Sequence, residues 1–179
     1  MAIIVVPDPS LIVLVGAAGS GKSTFAARHF PSDEILSSDA FRAAIAGDAA
    51  NLSVTGAAFT ALHASLDRRL HAGRLTLVDA TNLTASARRA LVRRADRARM
   101  RAIAIVLDLP PAVVLARNAG RQGRVVPEEV VRRHLAQVRR LVDDASLGFE
   151  GFAQILICRA PDEVETLVIE RDATTRLTP

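Results

Sequence analysis

An apolar run ending in glycine, Ser10-Leu11-Ile12-Val13-Leu14-Val15-Gly16, passes without a break into Ala17-Ala18-Gly19-Ser20-Gly21-Lys22-Ser23-Thr24 and then into a helix-forming stretch. No other feature limits the fold as much. A strand-sized run with no apolar/polar alternation fits a strand buried on both faces, as in a parallel sheet. Closely spaced glycines let the chain curl tightly. The helix that follows is stopped by Pro31. Strand, glycine turn and helix together make the first half of a β–α–β unit.

The remaining chain repeats that alternation. "EILSS" reads as a second, short strand, and "DAFRAAIA" as a short helix broken near Gly47. "GDAANLSVTG" is polar and turn-rich, so a loop is expected there. Ala57 to Ala72 is helical, closed by Gly73. "RLTLVDATN" is a third strand running into a loop, and Thr84 caps an Ala- and Arg-rich helix to about Arg99. "RAIAIVLDLP" is a fourth strand, after which Pro110 and Pro111 open a helix. "GRQGRVVP" is a linker, Pro127 starts a helix to about Ser146, and "AQILICR" is a fifth strand. "PDEVETLVIE" is a terminal helix or helix–strand element. Strands alternating with helices predict an α/β fold with a parallel sheet covered on both faces. Ligands of such sheets bind beyond the carboxyl ends of the strands.

Composition narrows the class. With 179 residues, half of them hydrophobic, the chain is expected to form one domain over residues 1–179. No apolar run approaches about 18 residues, and Met1 to Val6 lacks the basic flank of a signal peptide. A cytoplasmic protein is the expectation. Cys158 is the single cysteine, set in the apolar run "ILIC", and reads as a buried strand thiol. The net charge is +4, unevenly spread: Thr84 to Arg140 carries 14 Arg against four acids. Such a segment suits a polyanionic partner, or is simply a set of solvated helix faces. There are 22 Arg and one Lys, Lys22. A chain that otherwise uses Arg has kept a compact ammonium at that one place.

Gly16-Ala17-Ala18-Gly19-Ser20-Gly21-Lys22-Ser23 fits the phosphate-loop pattern G-x-x-x-x-G-K-[ST] between a strand and a helix. In such a loop the backbone N–H groups and the helix N-terminus face phosphate oxygens. Residues Gly16 to Thr24 are therefore expected to bind ATP. Lys22 would bridge the β- and γ-phosphates, and Ser23 would ligate Mg²⁺. Asp79 ends the third strand, where it could hold the metal's water; alternatively it caps a helix or braces the loop with Asn82.

"ILSSDAFR" supplies a candidate acceptor site. A carboxylate at Asp39 can take the proton of an attacking hydroxyl. Arg42, three residues on, lies on the same helical face and can hold Asp39 ionised or clamp an anionic group of the acceptor. Arg117 and Arg121 stack on one face of a helix, a repulsive pairing unless an anion lies between them. Beside the glycine-flanked linker they read as a small lid, approximately residues 112–140, closing over ATP, with Arg124 a further candidate. Arg132, Arg133, Arg139 and Arg140 form a basic strip on the next helix. With six Phe and no Trp or Tyr, a broad aromatic platform is not expected.

The ordered set "GAAGSGKST", "ILSSDAFR", "LTLVDATN", "IVLDLPPAVVLARNAGR" and "VVRRHLAQVRR" resembles the kinase module of bacterial polynucleotide kinase-phosphatases, RNA end-healing proteins related to the phage polynucleotide 5′-kinase. The resemblance covers nearly the whole chain. It implies that Asp39 is the general base for a terminal 5′-hydroxyl and that Arg42 holds the neighbouring phosphate. It also implies that Arg117 and Arg121 act from the lid and that Val131 and its neighbours in the lid-proximal helix border the terminal base. The sequence departs from the family in ending near residue 179, without the phosphatase and ligase-like modules, and in its glycine-rich lid linker.

The expectation is thus a P-loop NTPase fold of adenylate-kinase-like architecture, with about five parallel strands. It would use ATP and Mg²⁺ to phosphorylate a hydroxyl, most specifically the 5′-OH of RNA or DNA. A small-molecule kinase acting on a sugar, drug or metabolite, and a non-catalytic ATP-binding module, are the alternatives.

Overall fold

The computed structural model describes residues 3–121 and 125–173. Strand β2 (Ser10–Gly16) is buried along its whole length and lies at the centre of a five-stranded sheet. Its neighbours are β4 (Thr76–Asp79) on one side and β5 (Arg101–Leu107) on the other. β3 (Ile35–Ser37) and β6 (Gln154–Cys158) form the two edges, giving the order β3-β4-β2-β5-β6, all parallel. The fold class and strand count match the sequence expectation. β3 is a half-buried edge strand, and β4 separates it from the phosphate-loop strand.

Side chains alternate between the two faces of each strand, so the core divides in two. Ile12 and Leu14 pack on one face with Phe25 and Ala26 of helix α1 (Lys22–His29). Leu11, Val13 and Val15 pack on the other with Leu62, Leu66 and Leu70 of α3 (Thr55–His71) and Leu91, Val92 and Ala95 of α4 (Ala85–Arg97). The spacings within α3 and α4 are those of a helical apolar stripe. Helix α2 (Ser38–Ala46) ends at Gly47 in the left-handed conformation, φ 71°. Thr84 accepts from the Ala87 N–H and caps α4 as expected.

Two more helices stand where a lid was expected, α5 (Pro111–Ala119) and α6 (Glu128–Asp143). Both are built into the main core: Val114 and Val131 belong to the first cluster, and Val138 and Leu141 of α6 reach the second. Asn118 ties the two together, donating to the Val126 carbonyl at 2.7 Å and accepting from its N–H at 3.2 Å. Arg124 lies outside the described residues.

The apolar N-terminus forms a strand, β1 (Ile3–Pro7), which pairs in parallel with β7 (Val168–Asp172) after α7 (Pro161–Thr166). This second, two-stranded sheet joins the rest through Ile4 and Val6, buried in the first core cluster, and through Arg171, which forms a two-pronged pair with Glu34 and lies over the Phe30 ring. Cys158 is buried, and burial together with nearby Glu163 pushes its thiol up to about 11. Among the described residues no helix is long and apolar enough to cross a membrane.

Candidate active site

The carboxyl end of β2 turns into the phosphate loop. Gly19 and Gly21 carry it through left-handed conformations, φ 85° and 93°, that a side chain would strain. A Cβ at Gly19 would come within 2.8 Å of the Val114 carbonyl oxygen, so α5 packs directly against the loop. The loop is also anchored from β4. Gly16 donates its N–H to the Thr81 carbonyl at 3.1 Å, and the Asn82 amide donates to the Leu14 carbonyl at 2.8 Å.

That β4–α4 connection is itself fixed by a side chain absent from the sequence reading. The Arg88 guanidinium donates to the carbonyls of Asn82 and Leu83 and forms a two-pronged pair with Glu150, at 2.7 and 2.6 Å. Both partners are fully buried. Arg88 thus spends its charge inside the protein, and its position in an Arg-rich helix gave no sign of this. Removing one member of such a pair leaves a buried charge uncompensated, at about 3–5 kcal/mol. Glu150→Gln is accordingly expected to lower the melting temperature by about 10 °C or more in a chain of this size, measured by calorimetry.

Lys22 is buried, its ammonium donating to the carbonyls of Gly16 at 3.0 Å and Ala17 at 2.7 Å. Burial lowers its pKa to about 8, assisted by Arg121 and opposed by the carboxylates Asp79 and Asp39. Ser23 donates its hydroxyl to Asp79 at 2.7 Å. Burial raises the Asp79 pKa, while the Ser23 hydrogen bond and Lys22 oppose the shift. Asp79 neither caps α4, which Thr84 does, nor pairs with Asn82, whose amide donates to the Leu14 and Ala80 carbonyls.

Among the described residues no group of three or more His, Cys, Asp or Glu could hold a metal ion. Ser23 and Asp79 are nonetheless hard oxygen donors held side by side. That suits Mg²⁺, which takes one or two protein oxygens and completes its shell with phosphates and water.

Asp39 sits in the first turn of α2 but does not cap it; Ser37 does, accepting from the Ala40 N–H. The Asp39 side chain is half exposed and ion-paired with Arg42. Arg42 is buried and also donates to the Ala49 carbonyl at 2.9 Å, so it is no ordinary surface arginine.

These pieces line one cavity of about 720 Å³ at the carboxyl edge of the sheet. Lys22, Ser23, Thr24, Asp39, Arg42, Asp79, Arg117 and Arg121 all border it, with Ala18, Gly19 and Gly21 of the loop. Pro161, Val164 and Glu165 of α7 close one end, beside Arg28 and Arg117. Glu165 approaches Arg117 to 3.8 Å.

Val131 is not at the cavity. It is fully buried in the core, and the wall positions on α6 are Val130 and His134, one turn apart. In "VVRRH" either valine could have faced the ligand, and the sequence alone did not fix the helix rotation. Desolvation, with Lys22 and Arg133 nearby, lowers the His134 pKa. His134, Phe59 and Thr55 are wall residues the sequence reading missed.

A family profile described as an AAA domain matches residues 11–144. The chain belongs to that family. No curated protein is similar enough in sequence to stand as a relative of this AAA-domain chain. Among solved structures it is similar to a chain of the Pnkp1/Rnl/Hen1 RNA repair complex, with TM-score 0.67 and 25% identity over 78% of its own length. It spans about half of that chain, 47%. It is similar in fold to a sugar kinase from Janibacter sp. HTCC2649, with TM-score 0.57 and 21% identity, covering 87% of this chain and 90% of the other. A gluconokinase from Sinorhizobium meliloti 1021 aligns with TM-score 0.53 and 17% identity, covering 89% and 87%. The fold is that of a P-loop NTPase, and the chain is P-loop kinase-like.

Proposed function

We propose that the protein transfers the γ-phosphoryl group of ATP to a hydroxyl, and that the acceptor is the 5′-OH end of RNA or DNA. The observation that carries this reading is the shared cavity: the phosphate loop with Lys22, the Ser23–Asp79 pair and the Asp39–Arg42 pair all border it. In the proposed reaction the acceptor oxygen attacks the γ-phosphorus, the bond from that phosphorus to the β–γ bridging oxygen breaks, and ADP leaves. The hydroxyl proton passes to an Asp39 carboxylate oxygen. Arg42, fixed by Asp39 and the Ala49 carbonyl, presents positive charge to the acceptor. Lys22, Arg117 and Arg121 border the same cavity and would neutralise charge on the transferring group. Ser23 and Asp79 would hold Mg²⁺, which when bound offsets charge on the phosphate oxygens.

The wall beyond Asp39 and Arg42 supports a nucleoside over a polyol. It consists of Leu52, Thr55 and Phe59, and the Thr55 hydroxyl is already donated to the Leu52 carbonyl at 2.7 Å. A sugar needs hydrogen-bonding partners for several hydroxyls. An apolar wall with one aromatic ring suits the flat face of a base. The test is label transfer from radiolabelled ATP to a 5′-OH oligonucleotide, the same oligonucleotide bearing a 5′-phosphate, gluconate, hexoses and small alcohols. Label is expected on the 5′-OH oligonucleotide alone. Label on a polyol instead, or ATP binding with transfer to no hydroxyl, would overturn the proposal.

A further inference from the structure

The segment from Thr84 to Arg140 has most of the chain's arginines, and the structure separates those already used from those left over. Arg88 is paired with Glu150, Arg94 with Asp67, Arg132 with Glu128 and Arg139 with Asp108. The basic strip of α6 is therefore half neutralised within the protein. Helix α4 differs. Arg89, Arg93 and Arg97 are exposed, and among the described residues none has a carboxylate within ion-pair distance.

Their spacing is four residues and four residues, so they form one stripe about 12 Å long on the solvent side of the helix. Like charges at that spacing repel. The acid on α4, Asp96, is exposed and lies three residues from Arg93 without pairing to it. The stripe begins near the active site, because α4 follows directly on the segment whose Ala80 and Thr81 border the cavity.

A second feature stands against the same helix. Phe149 is 85% exposed, the most exposed large hydrophobic residue described. It ends a short 3-10 turn, Ser146–Phe149, that is clamped to α4 on both sides of its end: Glu150 grips Arg88, and a Cβ on Gly151 would lie 3.0 Å from Val92. Arg88, Val92 and Asp96 form one row of α4, and the row of Arg89, Arg93 and Arg97 lies about 100° further around the helix. The buried pair therefore fixes the turn that carries this exposed ring to the helix that carries the stripe. Three exposed, unpaired arginines in register on a helix that also anchors a solvent-facing ring have the chemistry of a single-stranded nucleic acid site, cations for phosphates and a ring for a base.

We propose that Arg89, Arg93 and Arg97 of α4, with Phe149, form a second nucleic-acid contact surface that holds the strand beyond the terminal nucleotide. This surface rests on the nucleic-acid reading of the acceptor and adds to it a grip on longer strands. The full-length protein should therefore bind a strand of about 15 nucleotides more tightly than a trinucleotide, with the difference falling as salt rises.

The test uses two variants, the triple substitution R89Q/R93Q/R97Q and Phe149→Ala, and two measurements. The first is fluorescence anisotropy with a 5′-phosphorylated strand of about 15 nucleotides, which cannot act as an acceptor. The triple variant should lose about two from the slope of log affinity against log salt, and Phe149→Ala should weaken binding about fivefold or more. The second is KM and kcat for phosphorylation of 5′-OH strands of both lengths. KM for the long strand should rise, with kcat and the trinucleotide KM unchanged. Unchanged long-strand binding in both variants overturns the proposal, as does equal loss on both lengths or binding of anionic vesicles in place of the strand. If neither 5′-OH strand is phosphorylated while the anisotropy losses appear, the surface stands and the proposed reaction falls.

Discussion

Lys22→Ala is expected to lower phosphoryl transfer by at least about 100- to 1,000-fold and to weaken ATP binding in the same protein. The ammonium lies in the cavity wall with nothing but carbonyls and the Ser20 hydroxyl as hydrogen-bond partners, at 3.0, 2.7 and 3.4 Å. It is desolvated, and its pKa of about 8 leaves it charged at neutral pH. A charge kept in so dry a place acts strongly on an incoming phosphate, because little water competes for it. No neighbouring Lys can replace it, since the chain has no other. Titrating the variant with a fluorescent ATP analogue and measuring turnover on the same sample separates the two losses. Unchanged nucleotide affinity in Lys22→Ala would remove Lys22 from the phosphate site.

Asp39→Asn should behave differently. The substitution keeps the shape of the side chain and removes its capacity to take a proton, so transfer should fall by about 100- to 10,000-fold. ATP affinity should change little, because Asp39 lies on α2, outside the phosphate loop. The partner Arg42 keeps its bond to the Ala49 carbonyl, so the helix and its neighbouring loop stay tied together. Loss of turnover with preserved ATP binding is the signature of a group acting on the acceptor. Full activity in Asp39→Asn, or an equal loss of both properties, would exclude the general-base role.

The phosphate loop was legible because its residues are constrained locally. Glycine spacing, one lysine and a strand–turn–helix context are all properties of consecutive residues, and the backbone at Gly19 and Gly21 follows from them. The central strands β2 and β5 were legible for the same reason, since each is a long, nearly unbroken apolar run. What the sequence hid depends on pairings across long separations. The β1–β7 sheet joins the two ends of the chain, and β1 alternates buried and exposed residues as an isolated apolar segment gives no reason to expect. The Arg88–Glu150 pair spans 62 residues, and nothing near Arg88 distinguishes it from the exposed Arg89 beside it.

The candidate site shows the same division. Lys22, Asp39 and Asp79 could be named from strand ends. The choice between Val130 and Val131 turned on a rotation of α6 that only packing decides, because Val131 fills the core beneath the loop. The basic character of residues 84–140 was plain as a total. Which arginines remain available became clear only once Asp67, Asp108, Glu128 and Glu150 were seen to neutralise four of them.

The most direct test of the shared-cavity reading is a crystal structure of the Asp39→Asn protein with a non-hydrolysable ATP analogue, Mg²⁺ and a short 5′-OH oligonucleotide. The expected result has the terminal 5′-oxygen within about 2.6–3.2 Å of residue 39, in line with the γ-phosphate held by Lys22 and the phosphate loop. A nucleotide seated on the loop with the acceptor hydroxyl bound elsewhere, out of reach of residue 39, would contradict it.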